Sequence, residues 1–413
     1  MSSFDICVLG LGYIGLPTSS IFATRGKKVL GIDVVPAVVE TINDGRIHIE
    51  EPDLDVLVRA AVQSGNLRAA AKPAPADTFI IAVPTPFKAV GDNPRAPDLA
   101  YVESATRSCA PVVEPGNLVI LESTSPVGTT ELMRDWLVDE LKKIGRDVAA
   151  ESLLFAHCPE RILPGQMLKE LVSNDRIAGG LTPEAAQKAC SLYRTFCTGE
   201  IMLTDARTAE MAKLTENSFR DVNIAFANEL SLICERLDID VWELIALANR
   251  HPRVKILQPG PGVGGHCIAV DPWFIVSAAP EEARLIRTAR EVNDHKPHHV
   301  IATVKSRAGR FKAPVIACLG LAFKPDIDDM RESPAAEIVE HLARDKAGEI
   351  LAVEPHVREL PKALKGKVSL CSAEEAVTRA DIVVLLVNHR VFSNIDRALL
   401  RDKIVIDTRG FWR

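Results

Sequence analysis

The chain has 413 residues, of which 47% are hydrophobic and 25% charged, and its formal net charge at pH 7 is −6. This length exceeds what one hydrophobic core fills and predicts two or three domains. The negative charge argues against non-specific nucleic-acid binding, and no apolar run of about 18 residues predicts a membrane span. The first residues show no signal-peptide pattern, and the nine cysteines include no C-x-x-C pair. Both observations favour a cytoplasmic protein with reduced thiols.

Short apolar runs alternate with helix-length stretches in the first 160 residues. The runs that predict strands are residues 5–9, 28–32, 78–83, 118–121 and 155–158. Strands that alternate with helices are typical of a parallel sheet with helices on both faces. We therefore predict a doubly wound α/β domain at the start of the chain.

A glycine fingerprint follows the first predicted strand. The run GLGYIG (10–15) matches G-x-G-x-x-G, in which Gly10 allows a tight turn, Gly12 lets the backbone approach a pyrophosphate and Gly15 permits close packing. Asp33 ends the second predicted strand and is placed to accept hydrogen bonds from ribose hydroxyls. Val34 and not an arginine follows it, which favours NAD over NADP. The alternative is a glycine turn in an unrelated α/β domain.

A long helix is predicted from about residue 205 to 237, since this segment has no glycine or proline and repeats apolar residues at helical spacing. A helix of this length commonly bridges domains or packs against a partner subunit. Lys213, Asn217 and Arg220 fall on one face of it, and Asn228 extends that face. A solvated polar face is the simple alternative, but asparagine is a poor helix former and its repeated use here suggests buried hydrogen bonds.

The run PGPGVGGHCIAVDP (259–272) places four glycines and three prolines around Cys267. Glycine costs folding entropy, so this density suggests a backbone that passes close to another group. Asp271 follows the thiol by four residues. The run suggests a site with a cysteine nucleophile, and the alternative is a cysteine that acts as a small buried hydrophobe.

The alternation of strands and helices restarts after residue 314. Residues 315–319, 350–353, 382–387 and 404–406 predict strands, and 333–342 a helix. Glu354 ends the second of these strands, as Asp33 does in the first domain. The predicted fold is α/β, with two doubly wound Rossmann-like domains joined by a long helix and a helical middle domain. The expected boundaries are 1–204 for cofactor binding, 205–308 for the helical middle and 309–413 for the last domain.

Seven motifs occur in an order that is far more specific than any one of them. They are GLGYIG (10–15), PTP (84–86), STSP (123–126), KLTEN (213–217), GGHCIAVDP (264–272), GLAFKPDIDDMRESPA (320–335) and DTRGFWR (407–413). This set resembles the nucleotide-sugar 6-dehydrogenases, the family of UDP-glucose and GDP-mannose dehydrogenases, along essentially the whole chain. Where UDP-glucose enzymes carry Phe-Pro-Lys after the cysteine, this chain has Ile268-Ala269-Val270. That segment and the neighbouring motifs resemble the branch acting on UDP-N-acetyl sugars, of the bacterial UDP-N-acetyl-D-mannosamine type.

The resemblance implies a reaction and roles for particular residues. The family oxidises a primary alcohol to a carboxylate with two NAD, through a thiohemiacetal and a thioester on one cysteine, here Cys267. Lys213 and Asn217 would stabilise the oxyanion, Asp271 would orient water or take a proton, and Glu160 matches a carboxylate linked to thioester hydrolysis. The loop continues Arg161-Ile162-Leu163-Pro164, a run in which the UDP-glucose type carries a second glutamate, so the resemblance leaves one cofactor contact without a counterpart.

Contacts with the two ligands are implied in the same way. The expected cofactor-binding residues are Gly10, Gly12, Tyr13, Ile14, Gly15, Asp33, Thr85, Thr124, Thr130 and Arg331. The expected substrate-binding residues are Arg161, Ile162, Lys213, Asn217, Arg220, His251, Arg253, Gly264, Phe323, Lys324 and Arg409. In the family the residue matching Arg253 can reach across from a partner subunit, so the resemblance implies a homodimer formed through the central helical domain. No His/Cys cluster has metal-ligand spacing, and we expect no metal.

Three hypotheses remain open at this point. The first is oxidation of UDP-N-acetyl-D-mannosamine for a bacterial surface polysaccharide of the enterobacterial common antigen type. The second keeps the chemistry but changes the sugar to UDP-N-acetylglucosamine, UDP-N-acetylgalactosamine or UDP-glucose, because charge and periodicity do not separate epimers. The third is a non-catalytic sensor of NAD or UDP-sugar on the same scaffold. The expected nucleophile and its activators are all present, namely Cys267, Lys213, Asn217 and Asp271, which argues against the sensor.

Overall fold

The computed structural model describes residues 4–49, 51–90, 93–162, 165–265 and 267–413. The chain divides into two compact units, Met1–Glu216 and Asn217–Arg413. The division falls inside the long helix, α8, which spans Ala206–Arg236. Each unit contains one large sheet with its own hydrophobic core, and each is described separately.

The first unit contains an eight-stranded sheet and a small hairpin. The sheet strands are β1 (Phe4–Leu9), β2 (Val29–Ile32), β3 (Leu67–Ala70), β4 (Ala76–Ile81), β7 (Leu118–Leu121), β8 (Leu154–His157), β9 (Arg176–Gly180) and β10 (Ile201–Asp205), and the hairpin strands are β5 (Phe87–Val90) and β6 (Asn93–Pro97). The sheet order is β10-β9-β8-β7-β4-β1-β2-β3, parallel except between β8 and β9. The order reverses at β1, which is where a doubly wound sheet opens a crevice for a ligand.

Both faces of this sheet are covered by helices. They are α1 (Gly15–Thr24), α2 (Pro36–Asn43), α3 (Leu54–Gln63), α4 (Ala100–Ser108), α5 (Thr129–Lys143), α6 (Met167–Ser173) and α7 (Pro183–Tyr193). Side chains alternate along β1, so that Ile6 and Val8 enter one core and Cys7 and Leu9 the other. Burial on both faces explains why the strands form continuous apolar runs in the sequence.

The second unit repeats this architecture on a smaller scale. Its strands are β11 (Val315–Leu319), β12 (Glu349–Val353), β13 (Ser369–Leu370), β14 (Ile382–Leu385) and β15 (Ile404–Asp407). They form an all-parallel sheet in the order β13-β12-β11-β14-β15. Its helices, apart from the larger part of α8, are α9 (Val241–Ala248), α10 (Asp271–Ala278), α11 (Arg284–Ala308), α12 (Pro334–Arg344) and α13 (Ala373–Arg379).

The predicted fold class is confirmed. Two doubly wound sheets are present, and the strands and long helices predicted from the sequence lie within a few residues of those observed. Strands β3, β9, β10 and β13 and the hairpin were not predicted. Two of the five residues of strand β9 are glycine, so its sequence carries little strand signal. No helix in the described part of the chain is long and apolar enough to cross a membrane.

Candidate active site

The turn between β1 and α1 has the geometry that the glycine fingerprint predicts. Gly10 adopts a φ of +94°, a conformation that favours glycine. A Cβ atom on Gly15 would overlap the carbonyl oxygen of Gly10, which explains why only glycine fits there. A Cβ atom on Gly12 would meet nothing within 4 Å, so the space in front of this residue is open. The fingerprint therefore leaves an uncovered backbone at the start of α1, where a pyrophosphate can approach.

Asp33 follows β2 and is fixed by two backbone donors. Its Oδ2 accepts from Leu11 N at 3.2 Å and its Oδ1 from Val35 N at 2.9 Å. These bonds hold the carboxylate beside the fingerprint turn, and the next residue, Val34, is 89% exposed. The open glycine backbone and the oriented acid fit a dinucleotide without a 2′-phosphate, that is NAD.

Other predicted cofactor residues lie at the same carboxyl edge of the sheet, with one exception. Thr85 follows β4 and donates its hydroxyl to the carbonyl oxygen of Thr124, which follows β7, at 2.7 Å. Tyr13 and Ile14 are half-buried in the β1–α1 turn. Thr130 is fully buried in α5, and its hydroxyl donates to Glu210 Oε1 at 2.6 Å. The Thr130 hydroxyl is therefore already hydrogen-bonded within the protein and is not exposed to a ligand.

Glu160 follows β8 and is buried in a charged cluster. Its Oε2 pairs with the Arg176 guanidinium, and its Oε1 accepts from Arg161 N at 2.7 Å. Glu122, which follows β7, lies 3.9 Å from Arg176 through its Oε1. The sequence analysis missed Glu122 and Arg176. For Glu122 the available signal was a charged residue directly after an apolar strand, since such a residue lies at the edge where parallel-sheet sites form. Arg176 begins β9 and carries no such signal.

The first half of α8 runs beside the loop after β8. Arg161 is half-buried and pairs with Glu216 of α8 at 2.7 Å, and Ile162 packs against the core on one face of the sheet. His157 is fully buried, and burial, with a contribution from the charge of Lys213, lowers its pKa to about 3. His157 is therefore neutral at physiological pH. The structure thus brings Lys213 and Arg161 to the same edge as Glu160.

In the second unit, Asn217 and Asp271 are paired. Asn217 is buried on α8 and its Nδ2 donates to Asp271 Oδ2. Asp271 is buried at the first residue of α10, and Pro272 follows it in the first turn, where proline is favoured. The Cys267 carbonyl accepts from Asp271 N at 2.9 Å, so the half-buried cysteine is tied to the start of this helix. Asn217 and Asp271, predicted to act with the thiol, are therefore in direct contact.

The loop that carries Cys267 is held by buried asparagines. Asn228 on α8 accepts from Gly260 N at 2.9 Å and donates to Asn293 Oδ1 at 2.9 Å. Asn293 on α11 donates to Asp221 Oδ1 at 2.8 Å, and Arg290 pairs with the same carboxylate at 2.6 Å. The buried asparagines inferred from the sequence thus serve hydrogen bonds. Their role in anchoring the loop could not be read from spacing alone.

The far end of this loop is clamped to the segment after β11. Gly265 N donates to the Glu332 carbonyl at 3.2 Å, and a Cβ on Gly264 would overlap the same oxygen. The Phe323 ring would lie 3.0 Å from a Cβ on Gly265. Each of these two glycines therefore allows a close approach, as the glycine density of the sequence suggested.

The remaining substrate candidates differ in their surroundings. Arg409 is partly buried beside Gly260, its Nε donates to the Leu386 carbonyl at 3.1 Å, and burial lowers its pKa to about 10. Among the described residues its guanidinium forms no ion pair within 4 Å. Lys324 is half-buried and Arg220, His251 and Arg253 are exposed. Arg331, a cofactor candidate, is exposed and pairs with Asp329 at 2.6 Å.

One group of potential metal ligands was not predicted from spacing. Asp326, His356 and His389 bring ligand atoms within 4.8 Å of one another. His389 Nδ1 accepts from Asp326 N at 2.9 Å, and its Nε2 lies 3.1 Å from Glu354 Oε2. Both ring nitrogens are therefore engaged by the protein. We interpret the group as a hydrogen-bond network that fixes the loop after β11.

Comparisons with known proteins agree along the whole chain. Family models match residues 4–197, 207–295 and 317–413, and they describe the NAD binding, central and UDP binding domains of the UDP-glucose/GDP-mannose dehydrogenase family. An NDP-N-acetyl-D-galactosaminuronic acid dehydrogenase from Ralstonia nicotianae is 61% identical over 410 residues, which cover 98% of this chain and 96% of the relative. The UDP-N-acetyl-D-mannosamine dehydrogenase of Escherichia coli K12 is 56% identical over 430 residues and all of both chains. A solved UDP-D-ManNAc dehydrogenase from Pyrococcus horikoshii superposes with a TM-score of 0.88 at 42% identity, covering 99% of this chain and 96% of that one.

Proposed function

This chain belongs to the UDP-glucose/GDP-mannose dehydrogenase family and is an NAD-dependent enzyme, and from that premise we propose that it oxidises UDP-N-acetyl-D-mannosamine to UDP-N-acetyl-D-mannosaminuronate. The observation that carries the proposal is the thiol loop, in which Cys267 is tied to a buried Asn217–Asp271 pair. The same substrate is named for the Escherichia coli relative. The product is a uronate suited to a surface polysaccharide.

The proposed reaction consists of two oxidations, of which the second takes place on an adduct with the Cys267 sulfur. NAD, when bound, accepts the hydride released in each oxidation. The first oxidation converts the C6 alcohol to an aldehyde, and the Cys267 thiolate then adds to the aldehyde carbon to give a thiohemiacetal. Loss of hydride from this adduct forms a thioester, and water breaks the C–S bond to release the carboxylate and the thiol. The sum consumes one alcohol, two NAD and one water, and yields one carboxylate, two NADH and three protons.

The roles of the polar side chains follow from the family resemblance, together with the contacts that each makes within its own unit. Asn217 and Lys213 lie one helical turn apart on α8, so both project from the same face of that helix. We assign Lys213 to charge stabilisation of the oxyanion, with Asn217 as a second donor. Asp271 already accepts from Asn217, which orients its carboxylate and leaves it placed to hold a proton or a water. Glu160 is the proposed acceptor of a proton from the hydrolytic water.

A second substrate is favoured by one specific observation. The Ralstonia relative, an NDP-N-acetyl-D-galactosaminuronic acid dehydrogenase, is more similar to this chain than the Escherichia coli relative is. Oxidation of UDP-N-acetyl-D-galactosamine is therefore the second candidate. The two sugars differ in configuration at C2 and C4 and carry the same primary alcohol at C6, so both candidates use the same thiol chemistry.

A substrate screen tests the proposal. The protein is incubated with NAD and one of UDP-N-acetylmannosamine, UDP-N-acetylgalactosamine, UDP-N-acetylglucosamine or UDP-glucose, and NADH is followed by absorbance while uronate is quantified by mass spectrometry. We expect the highest kcat/KM with UDP-N-acetylmannosamine and two NADH for each uronate. A higher kcat/KM with UDP-N-acetylgalactosamine would establish the second candidate. Tight binding of a UDP-sugar without NADH formation from any of the four would support a sensor instead.

We also propose a homodimer formed through the central helical segment, for which residues 205–308 remain the expected domain. Phe219, Phe226 and Ile233 follow one another at intervals of seven residues on α8, and their exposed fractions are 68%, 52% and 45%. This spacing aligns them along one side of the helix, and three exposed large apolar groups in a row favour an apolar partner surface. The resemblance of Arg253 to a residue that reaches a neighbouring subunit makes a second copy of the chain the expected partner.

Replacing Phe226 by aspartate tests this interface. The ring is exposed on the single chain, so the substitution should leave the monomer folded, whereas a charge buried between two copies is costly. We expect wild type to elute as a dimer in size-exclusion chromatography with light scattering, and Phe226→Asp to shift towards monomer. Val56→Asp, at a site that is 62% exposed on α3, is the matched control and should stay dimeric. A monomeric wild type, or a dimeric Phe226→Asp, would contradict the proposal.

A further inference from the structure

Four buried side chains of the first unit form what we call the acid cluster: Glu122, Glu160, Arg176 and Tyr193. Glu122 follows β7 and Glu160 follows β8. Arg176 is the first residue of β9, and Tyr193 is the last residue of α7. Their exposed fractions are 1%, 7%, 4% and 1%. Charged groups that are this deeply buried need partners inside the protein, so the balance of positive and negative charges within the cluster determines whether each charge is compensated.

The acid cluster contains two carboxyl groups but only one cation. Arg176 pairs with Glu160 and stacks over the Tyr193 ring, with 4.6 Å from its Cζ to the ring centroid. The Tyr193 hydroxyl donates to Glu122 Oε1 at 3.0 Å. With both carboxyl groups ionised, the cluster would carry an excess negative charge away from water, which is costly.

A proton on Glu122 removes this excess charge. Its Oε2 is buried and makes no hydrogen bond within the described residues, so this oxygen has room for a proton. Burial, followed by the charge of Glu160, raises the pKa of Glu122 to about 7. The groups that face Glu122 from the surrounding elements are Thr18, Cys158, Glu160, Arg176 and Tyr193. Arg176 is the only cation among them.

We infer that Glu122 is a positioning residue for Glu160: while it holds a proton, Arg176 pairs with Glu160 alone and keeps that carboxylate fixed in orientation. When Glu122 loses the proton, two anions compete for one guanidinium, and the hold on Glu160 weakens. Glu122 is 1% exposed, so we assign it no contact with the substrate. The consequence for catalysis rests on the proposed function, in which Glu160 accepts a proton from the hydrolytic water. The thioester hydrolysis step is the one that Glu122 affects.

Glu122→Gln tests the inference in the full-length protein, because glutamine keeps the shape of a protonated glutamate and cannot ionise. The first readout is the decay of the covalent Cys267 adduct after rapid quenching, followed by mass spectrometry from about pH 6 to about pH 9. At the acidic end of this range we expect the adduct to decay at the same rate in the variant and in wild type. As the pH rises and Glu122 of wild type ionises, the ratio of the variant rate to the wild-type rate should increase. The rate of the first oxidation should be unchanged. Tyr193→Phe removes the hydroxyl that donates to Glu122 and therefore disfavours the ionised form of that carboxyl group. In this variant the pH at which the adduct decay rate changes should be higher than in wild type.

The second readout is stability and needs no substrate. A carboxyl group whose pKa is higher in the folded than in the unfolded chain stabilises the fold at low pH, and this contribution is lost as the pH rises from about 4.5 through about 7. The melting temperature of Glu122→Gln relative to wild type should therefore increase over this window. The inference is overturned if the difference in melting temperature between Glu122→Gln and wild type does not change with pH. It is also overturned if the ratio of their adduct decay rates does not change with pH. A protein that oxidises no UDP-sugar overturns the proposed function instead, while the melting temperatures still decide whether Glu122 holds the proton.

Discussion

Cys267→Ser is expected to lower uronate formation by at least about a thousandfold while leaving the binding of NAD and UDP-sugar intact. An aldehyde has no hydrogen suited to hydride loss until a nucleophile adds to it, and a serine hydroxyl at neutral pH is a far weaker nucleophile than a thiolate. The thiol is half-buried in a loop held at both ends by backbone hydrogen bonds, so the small change from sulfur to oxygen should not disturb the fold. Uronate is measured by mass spectrometry, and ligand binding by calorimetry.

Cys371→Ser is the matched control, because Cys371 is also half-buried but lies next to α13, away from the thiol loop. It should retain wild-type activity. Wild type quenched in mid-reaction should carry a sugar-derived mass on the peptide containing Cys267 and on no other cysteine peptide. Full oxidation without any such adduct, or undiminished uronate formation by Cys267→Ser, would contradict the covalent route.

The two sheets were predictable because each depends on a pattern of neighbouring residues. Continuous apolar strands that end in Gly10 or in Asp33 specify a buried parallel sheet and its ligand edge without any long-range information. Strand β9 was missed because two of its five residues are glycine, so it lacks the continuous apolar run of the other strands. Tertiary contacts, and not local preference, make this segment a strand.

The candidate site was predictable only in part, for a related reason. Cys267, Asp271 and the asparagines of α8 were found because they occur in unusual local surroundings, whether glycine-rich or inside a helix. Glu122 and Arg176 lie in ordinary surroundings, at the end of one strand and the start of another, and they meet only when the sheet forms. The cost of burying a charge is a property of the fold, and this cost identifies the acid cluster in the structure.

Arg409→Gln is expected to raise the KM for the UDP-sugar about ten- to a hundredfold with a much smaller effect on kcat, since a hydrogen-bonded charge pair with a phosphate contributes about 1.5–3 kcal/mol. Arg409 lies beside Gly260, a residue of the loop that leads to Cys267. Of the Arg409 guanidinium nitrogens, only Nε makes a hydrogen bond within the described residues. A partly buried guanidinium with donors to spare is suited to an anion, and the diphosphate of the substrate supplies one.

The same substitution separates binding from stability. Burial lowers the pKa of Arg409 to about 10 in the fold, which means that the charged form is disfavoured there relative to the unfolded chain at every pH below about 10. Removing this charge should therefore leave the melting temperature of the ligand-free protein equal or higher, even though substrate binding is weakened. UDP should raise the melting temperature of wild type more than that of the variant, because a tighter ligand stabilises the fold more. Arg401→Gln changes an exposed arginine of the same unit and should alter neither KM nor melting temperature. An unchanged KM in Arg409→Gln, or a marked loss of stability without ligand, would show that Arg409 supports the fold and not the diphosphate.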